Sequence, residues 1–175
     1  LGNLPVACQI FNAHKSDLFG ISDFVYGVYR VKENELEHVC KVMRRCDLSP
    51  NDATPARSYI FEAFLHACEN NDIAFLQYLK DWGVDANIVR DANNKGLLLA
   101  SQGGHIKVMK FLKDNWNLTH DDAYQHCNDI LHEAIKSGNV EVLQHLKDYW
   151  GFTATDARSH TNFALRMAAR NGHVN

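Results

Sequence analysis

The chain has 175 residues, 46% of them hydrophobic and 22% charged, the composition of an ordinary globular domain rather than of a disordered segment. Its formal charge of 18 − 21 = −3 argues against a nucleic-acid partner, and no apolar run approaches the ~18 residues of a membrane span. Five cysteines (Cys8, Cys40, Cys46, Cys68, Cys127), odd in number and without C-x-x-C spacing, fit free thiols in the cytoplasm better than a secreted disulfide scaffold.

Residues 1–25 open at Leu1 without a basic n-region or a long apolar stretch, so neither a secretion signal nor an intact N-terminus is expected there. Leu4, Ala7, Ile10 and Phe11 have the spacing of one amphipathic helix, a cap on whatever follows. Residues 26–57 hold a second helical pattern: Asn34 marks a turn, and Leu36, Val39 and Val42 form the stripe after it. Next comes Leu48-Ser49-Pro50-Asn51-Asp52-Ala53. Ser followed three residues later by Asp, with Pro at the first helical position, predicts a helix N-cap.

Beyond residue 58 the chain repeats itself. Ala67, Ala100, Ala134 and Ala168 each precede a turn, and they step by 33, 34 and 34 residues. Lys80, Lys113 and Lys147 step by 33 and 34, each within a Leu-Lys-Asp signature. All three tryptophans, Trp82, Trp116 and Trp150, step by 34 and directly precede Gly83, Asn117 and Gly151. A period of about 33 residues accommodates two helices, a tight turn and a connection. Leu97, Leu98 and Ala100, or Leu131, Ala134 and Ile135, supply the apolar stripe of the first helix. Ile106, Met109 and Leu112, or Val140, Leu143 and Leu146, supply that of the second. Gly104, Gly138, Gly172 and Asn71 stand where the intervening turn enters the left-handed region. The three lysines lie near a helix C-terminus, where the dipole favours a cation. Regular recurrence of the tryptophans predicts repeat-to-repeat packing. The units expected are 58–90, 91–123, 124–157 and an incomplete 158–175, after which the chain is expected to continue because arrays end in a complete capping unit.

Leu131-His132-Glu133-Ala134-Ile135-Lys136-Ser137-Gly138-Asn139 resembles the ankyrin-repeat pattern L-H-x-A-x-x-x-G-H. Gly104-His105 and Gly172-His173 are similar to its Gly-His turn, and Gly83-Val84-Asp85-Ala86-Asn87 to its G-A-D-x-N linker. The resemblance covers about residues 58–175. The usual T-P dipeptide is absent: its positions read Lys95-Gly96, Asp129-Ile130 and Phe163-Ala164. Leu118-Thr119-His120-Asp121-Asp122-Ala123 and Phe152-Thr153-Ala154-Thr155-Asp156-Ala157 repeat the N-cap motif of residues 48–53 instead. The fold implied is therefore an all-α ankyrin-type solenoid, with short helical turns in place of β-hairpin fingers. In this style it resembles divergent arrays of large DNA viruses and intracellular bacteria, which would place it in a host-cell cytosol.

The resemblance implies a protein–protein interaction module, a monomeric scaffold or adaptor that needs no cofactor. It also implies where a partner protein would touch a concave face. The residues before the turn are Glu69-Asn70, Gln102-Gly103, Lys136-Ser137 and Arg170-Asn171. Those leading into the first helix are Tyr59 and Phe61; Asp91 and Asn94; Gln125, His126 and Asn128; and His160 and Asn162. The pre-turn residues differ in charge and size from unit to unit while the scaffold markers recur.

Catalysis and metal binding find little support. His120, His126, Cys127 and His132 cluster within thirteen residues but lack C-x-x-C or H-x₃-H spacing. His132-Glu133 begins an H-E-x-x-H motif that fails at Lys136. His105 and His173 are expected to stabilise turns, and Lys41, Arg44 and Arg45 to form a solvated basic face. The alternative is that the array addresses a larger enzyme or effector to its substrate, with the catalytic domain outside these residues.

Equivalent positions predict equivalent energetics. Leu112→Ala and Leu146→Ala should each cost ~2–5 kcal/mol. A loss below about half a kcal/mol at either site in urea melts would misplace the second-helix stripe.

Overall fold

A computed structural model of the chain describes residues 55–173 and, before them, residues 40, 41, 44 and 49–51. The expected cap at 1–25 and most of the diverged unit at 26–57 lie outside the described residues. Long and short helices alternate: α1 (Pro55–Glu69), α2 (Ile73–Trp82), α3 (Ala86–Gln102), α4 (Ile106–Trp116), α5 (His120–Ser137), α6 (Val140–Trp150) and α7 (Ala154–Arg170). No strand occurs among the described residues, and none of their helices is long and apolar enough to cross a membrane.

Local chemistry sets each helix end. Thr119 and Thr153 each form a full capping box, the side chain accepting from the first turn while Asp122 or Asp156 accepts the backbone N–H of the threonine in return. Asp72 and Asn139 cap the short helices by accepting from Phe75 N and Val142 N. At the far ends, Gly83 (φ 98°), Gly138 (φ 67°) and Asn117 (φ 52°) adopt the left-handed conformation that closes a helix. The helical connections expected in place of β-fingers are present, and they run straight on into the long helices. Asn93 (φ 61°) and Asn94 (φ 58°) stand inside α3 and Asn162 (φ 59°) inside α7, left-handed positions that asparagine enters at lower cost than most residues. The expected units 58–90, 91–123 and 124–157 thus share the helix-pair period but begin inside the long helices.

Neither helix of a pair can bury its apolar stripe alone, so the pairs stack. The long helices pack in succession, α1 on α3, α3 on α5 and α5 on α7, and the short helices form a second layer. Phe64, Leu97, Ala100 and Ala134 from the first layer, and Leu79, Met109, Leu112, Leu146 and Trp150 from the second, are buried in one continuous core. Each large aliphatic side chain so buried contributes about 1.5–3 kcal/mol. Val140 departs from the expected stripe: it is 64% exposed, and Val142 takes the buried place on α6. Leu165 behaves likewise at 60% exposure, although its equivalents Leu131, Leu97 and Phe64 are buried. Val140 lies on α6 and Leu165 on α7, the last described helices of the short and the long layer, on which no further described helix is stacked.

Gly96 occupies a position where the family pattern carries part of its T-P dipeptide. A Cβ there would lie 2.4 Å from Phe64 Cε1 and 3.1 Å from Cys68 Sγ, so the absence of a side chain lets α3 approach α1. Phe64 is fully buried and has little room to yield. Gly96→Ala should therefore destabilise the chain by ~1–3 kcal/mol, against the usual gain from glycine to alanine in a helix. Unchanged or raised stability in urea melts would contradict this close approach.

Candidate partner-binding surface

The exposed side of the long-helix layer begins at the pre-turn position. Glu69, Gln102, Lys136 and Arg170 occupy equivalent places on α1, α3, α5 and α7, and all are exposed. Asn70, Ser137 and Asn171 beside them are exposed as well. Asn70 donates to His66 O at 2.9 Å, Ser137 to Ala134 O at 3.1 Å and Asn171 to Lys136 O at 3.3 Å.

His105 and His173 brace this column from the following unit. His105 Nε2 donates to Glu69 O at 2.8 Å, and His173 Nε2 to Lys136 O at 3.3 Å. A carbonyl only accepts, so the ring nitrogen carries the hydrogen in both bonds. The expectation of turn-stabilising histidines needs refinement: each ring ties its own turn to the preceding one, across 36 or 37 residues. The backbone of the pre-turn residue is held while its side chain remains in solvent.

The residues leading into the long helices divide differently. Phe61 is half-buried against the core. Asp91 is half-buried and paired with Arg57 at 2.8 Å. Asn94 is only 1% exposed and donates to Asp122 O at 3.0 Å, which corrects its assignment as a contact residue: its side chain bridges α3 to α5. A sequence signal for this existed, because Asn94, Asn128 and Asn162 step by 34 and 34 like the scaffold markers. Asn162 is exposed but shares the left-handed backbone of Asn94. The side chains of Tyr59, Gln125, His126, Asn128 and His160 lie outside the described residues.

Polar ties on the connection side hold one unit to the next. Arg90 Nε meets Asp122 at 2.8 Å while its Nη2 donates to Asn117 O at 3.2 Å. Asn51 donates to Gly83 O at 2.8 Å and accepts from Asp85 N at 3.0 Å. His120 packs on Phe152 with ring centroids 4.9 Å apart and brings Nε2 to 3.6 Å from Asp156. Burial alone would raise the pKa of Asp122, but hydrogen bonds from Arg90 and Thr119 outweigh it and hold the carboxyl below its ordinary value. In Asp156 burial is likewise outweighed, by hydrogen bonds from Thr153 and by the charge of His120.

Among the described residues no group of three His, Cys, Asp or Glu side chains is placed to hold a metal ion. Of the histidine–cysteine cluster, His126 and Cys127 have side chains outside the described residues. Cys68 is buried, and desolvation pushes its thiol far above the usual range, so it cannot supply a thiolate nucleophile near neutral pH. Trp116 and Trp150 are buried between repeats and Trp82 half-buried, as their spacing predicted.

Sequence reasoning passed over several residues of the exposed face. Glu62, Lys95 and Arg166 are exposed, and Leu98, Leu99, His132 and Phe163 are half-buried. Leu98 was assigned wholly to the core stripe. The i, i+3/i+4 neighbours of the pre-turn residues were the available signal.

Stability should fall with acid in two stages. His145 stacks on Tyr149 at 5.1 Å, and burial, with Lys113 and Lys110 adding to it against Asp148, lowers its pKa. The unfolded chain therefore takes up this proton first, so the contribution is complete above about pH 6.5 and is lost as pH falls below it. Asp122 and Asp156, also lowered, contribute fully above about pH 4 and lose that contribution below it. The Tm of His145→Gln should lack the first decline and keep the second. A wild-type Tm that is flat from pH 7 to pH 5 would contradict the first assignment.

A family profile described as ankyrin repeats, three copies, matches residues 64–156. Neither a curated protein nor a solved structure matches the chain. The matched segment spans more than half of the 175 residues and coincides with the stacked helix pairs, and the chain belongs to the ankyrin-repeat family.

Proposed function

We propose that this array binds a partner protein across the exposed face of its long helices, the concave face of the solenoid, as a monomeric scaffold or adaptor without catalytic chemistry of its own. Ankyrin repeats generally mediate protein–protein interaction. The observation that carries the finer reading is the pre-turn column: four equivalent positions are all exposed, yet hold an acid, an amide, a lysine and an arginine. A packing position would repeat as Ala67, Ala100, Ala134 and Ala168 do. The bracing of Glu69 and Lys136 by histidines of the next unit presents these side chains from a fixed backbone, which lowers the ordering cost of binding. The units 58–90, 91–123 and 124–157 are the repeating elements of this surface, with 158–173 completing its C-terminal side. The free, buried thiol of Cys68 suits a reducing compartment, and we place the activity in the cytoplasm.

The combined variant Glu69→Ala, Gln102→Ala, Lys136→Ala and Arg170→Ala should fold, because exposed substitutions of this kind usually change stability by no more than about 0.5 kcal/mol each. Its binding to a partner recovered with the wild-type array should be lost. A folded variant with unchanged affinity would move the site to another face.

A further inference from the structure

Charge changes sign along the exposed face. The α1 segment presents Glu62 and Glu69. On α3, the half-buried Leu98 and Leu99 lie among Lys95 and Gln102. Across α5 and α7 the rings of His132 and Phe163 meet at 4.2 Å between centroids, and the Arg166 guanidinium lies 5.9 Å from the Phe163 ring. Lys136 is engaged by Glu133 at 3.3 Å. Among the described residues, Arg166 and Arg170 form no ion pair, whereas Arg57 and Arg90 on the connection side are committed to Asp91 and Asp122. The acidic end, the apolar middle and the basic end lie in order along the stack.

Building on the reading that this face binds a partner protein, we infer that its occupant is an extended peptide segment with a charge polarity. The segment is basic where it meets Glu62 and Glu69, apolar or aromatic over Leu98 and Leu99, and acidic where it meets Arg166 and Arg170. Packed helices lie ~10 Å apart, so three steps from α1 to α7 cover ~30 Å, or about nine extended residues. Opposite charges at the two ends fix one direction for the segment, because the reversed orientation sets like charges against each other. The apolar middle gains from burial that Leu98 and Leu99 do not obtain within the array.

The test is a selection of random 12-residue peptides, displayed on phage, against the 175-residue chain. The enriched sequences should be basic at one end, apolar in the middle and acidic at the other. Each should lose about tenfold or more in affinity on Arg166→Glu with Arg170→Glu. Replacing the acidic end of the peptide by lysines should restore binding to that variant, a rescue that a folding defect cannot produce; circular dichroism checks the fold. Peptides that require Glu69, Gln102, Lys136 and Arg170 but show no charge polarity, or ignore the reversal, would overturn the inference and leave the interaction face standing. Peptides lost instead on Val140→Lys or Leu165→Lys bind the apolar end of the stack, and that result, or no enrichment, would overturn both.

Discussion

The Trp116 indole shows what joins one unit to the next. It belongs to α4, yet its Nε1 donates to Val84 O of the preceding unit at 2.8 Å and its ring meets the buried Phe64 edge-on at 6.0 Å. Lys80 of that preceding unit lies over the same indole, 5.4 Å from the ring centre. One side chain thus satisfies a loop carbonyl, fills the core between units and receives a cation. Trp150, 1% exposed beneath Lys113 at 5.0 Å, repeats the packing and the cation. Cation–π contacts of this kind are worth about 0.5–2 kcal/mol, more than the helix dipole alone offers a terminal lysine.

Because the second layer and the connections carry this joining work, the outer side of the first layer is free to vary. Asp122 must stay ionised to hold Arg90 and Thr119, and Asn94 must stay an amide in a left-handed position. Glu69 and Lys136 contribute backbone carbonyls to the histidine ties, which any residue at those positions also supplies. The division between invariant joinery and variable surface is therefore made by which atoms are used, side chain in one case and main chain in the other. An array built this way can change its surface residue by residue without altering its core.

Much of this was legible in the sequence because a solenoid repeats its constraints. Alanines, lysines and tryptophans at one period disclosed the helix pairs, and Thr119 with Asp122 and Thr153 with Asp156 disclosed their capping boxes. The pre-turn column came from the resemblance to the ankyrin pattern, and the change of residue type from unit to unit at Glu69, Gln102, Lys136 and Arg170 agreed with a surface position. The reading failed where one residue type serves two purposes. Asn94 looked like a polar contact residue, because amides suit surfaces, but burial and a positive φ make it part of the frame. The Arg57–Asp91 pair went unforeseen for a related reason: its partners lie 34 residues apart, beyond what helical spacing reveals. Val140 fits the apolar period and is nonetheless exposed, since burial at that position depends on what stacks beyond it. Spacing reports the face of a helix but not its neighbours.

The measurement that bears most directly on the account is hydroxyl-radical footprinting of the array alone and with a bound partner. The account predicts protection of Leu98, Leu99, Phe163 and Met167 on the long helices, with Tyr78, Trp82 and Phe111 on the short helices unchanged. Protection confined to the short-helix side, with the long-helix residues as reactive as before, would contradict it.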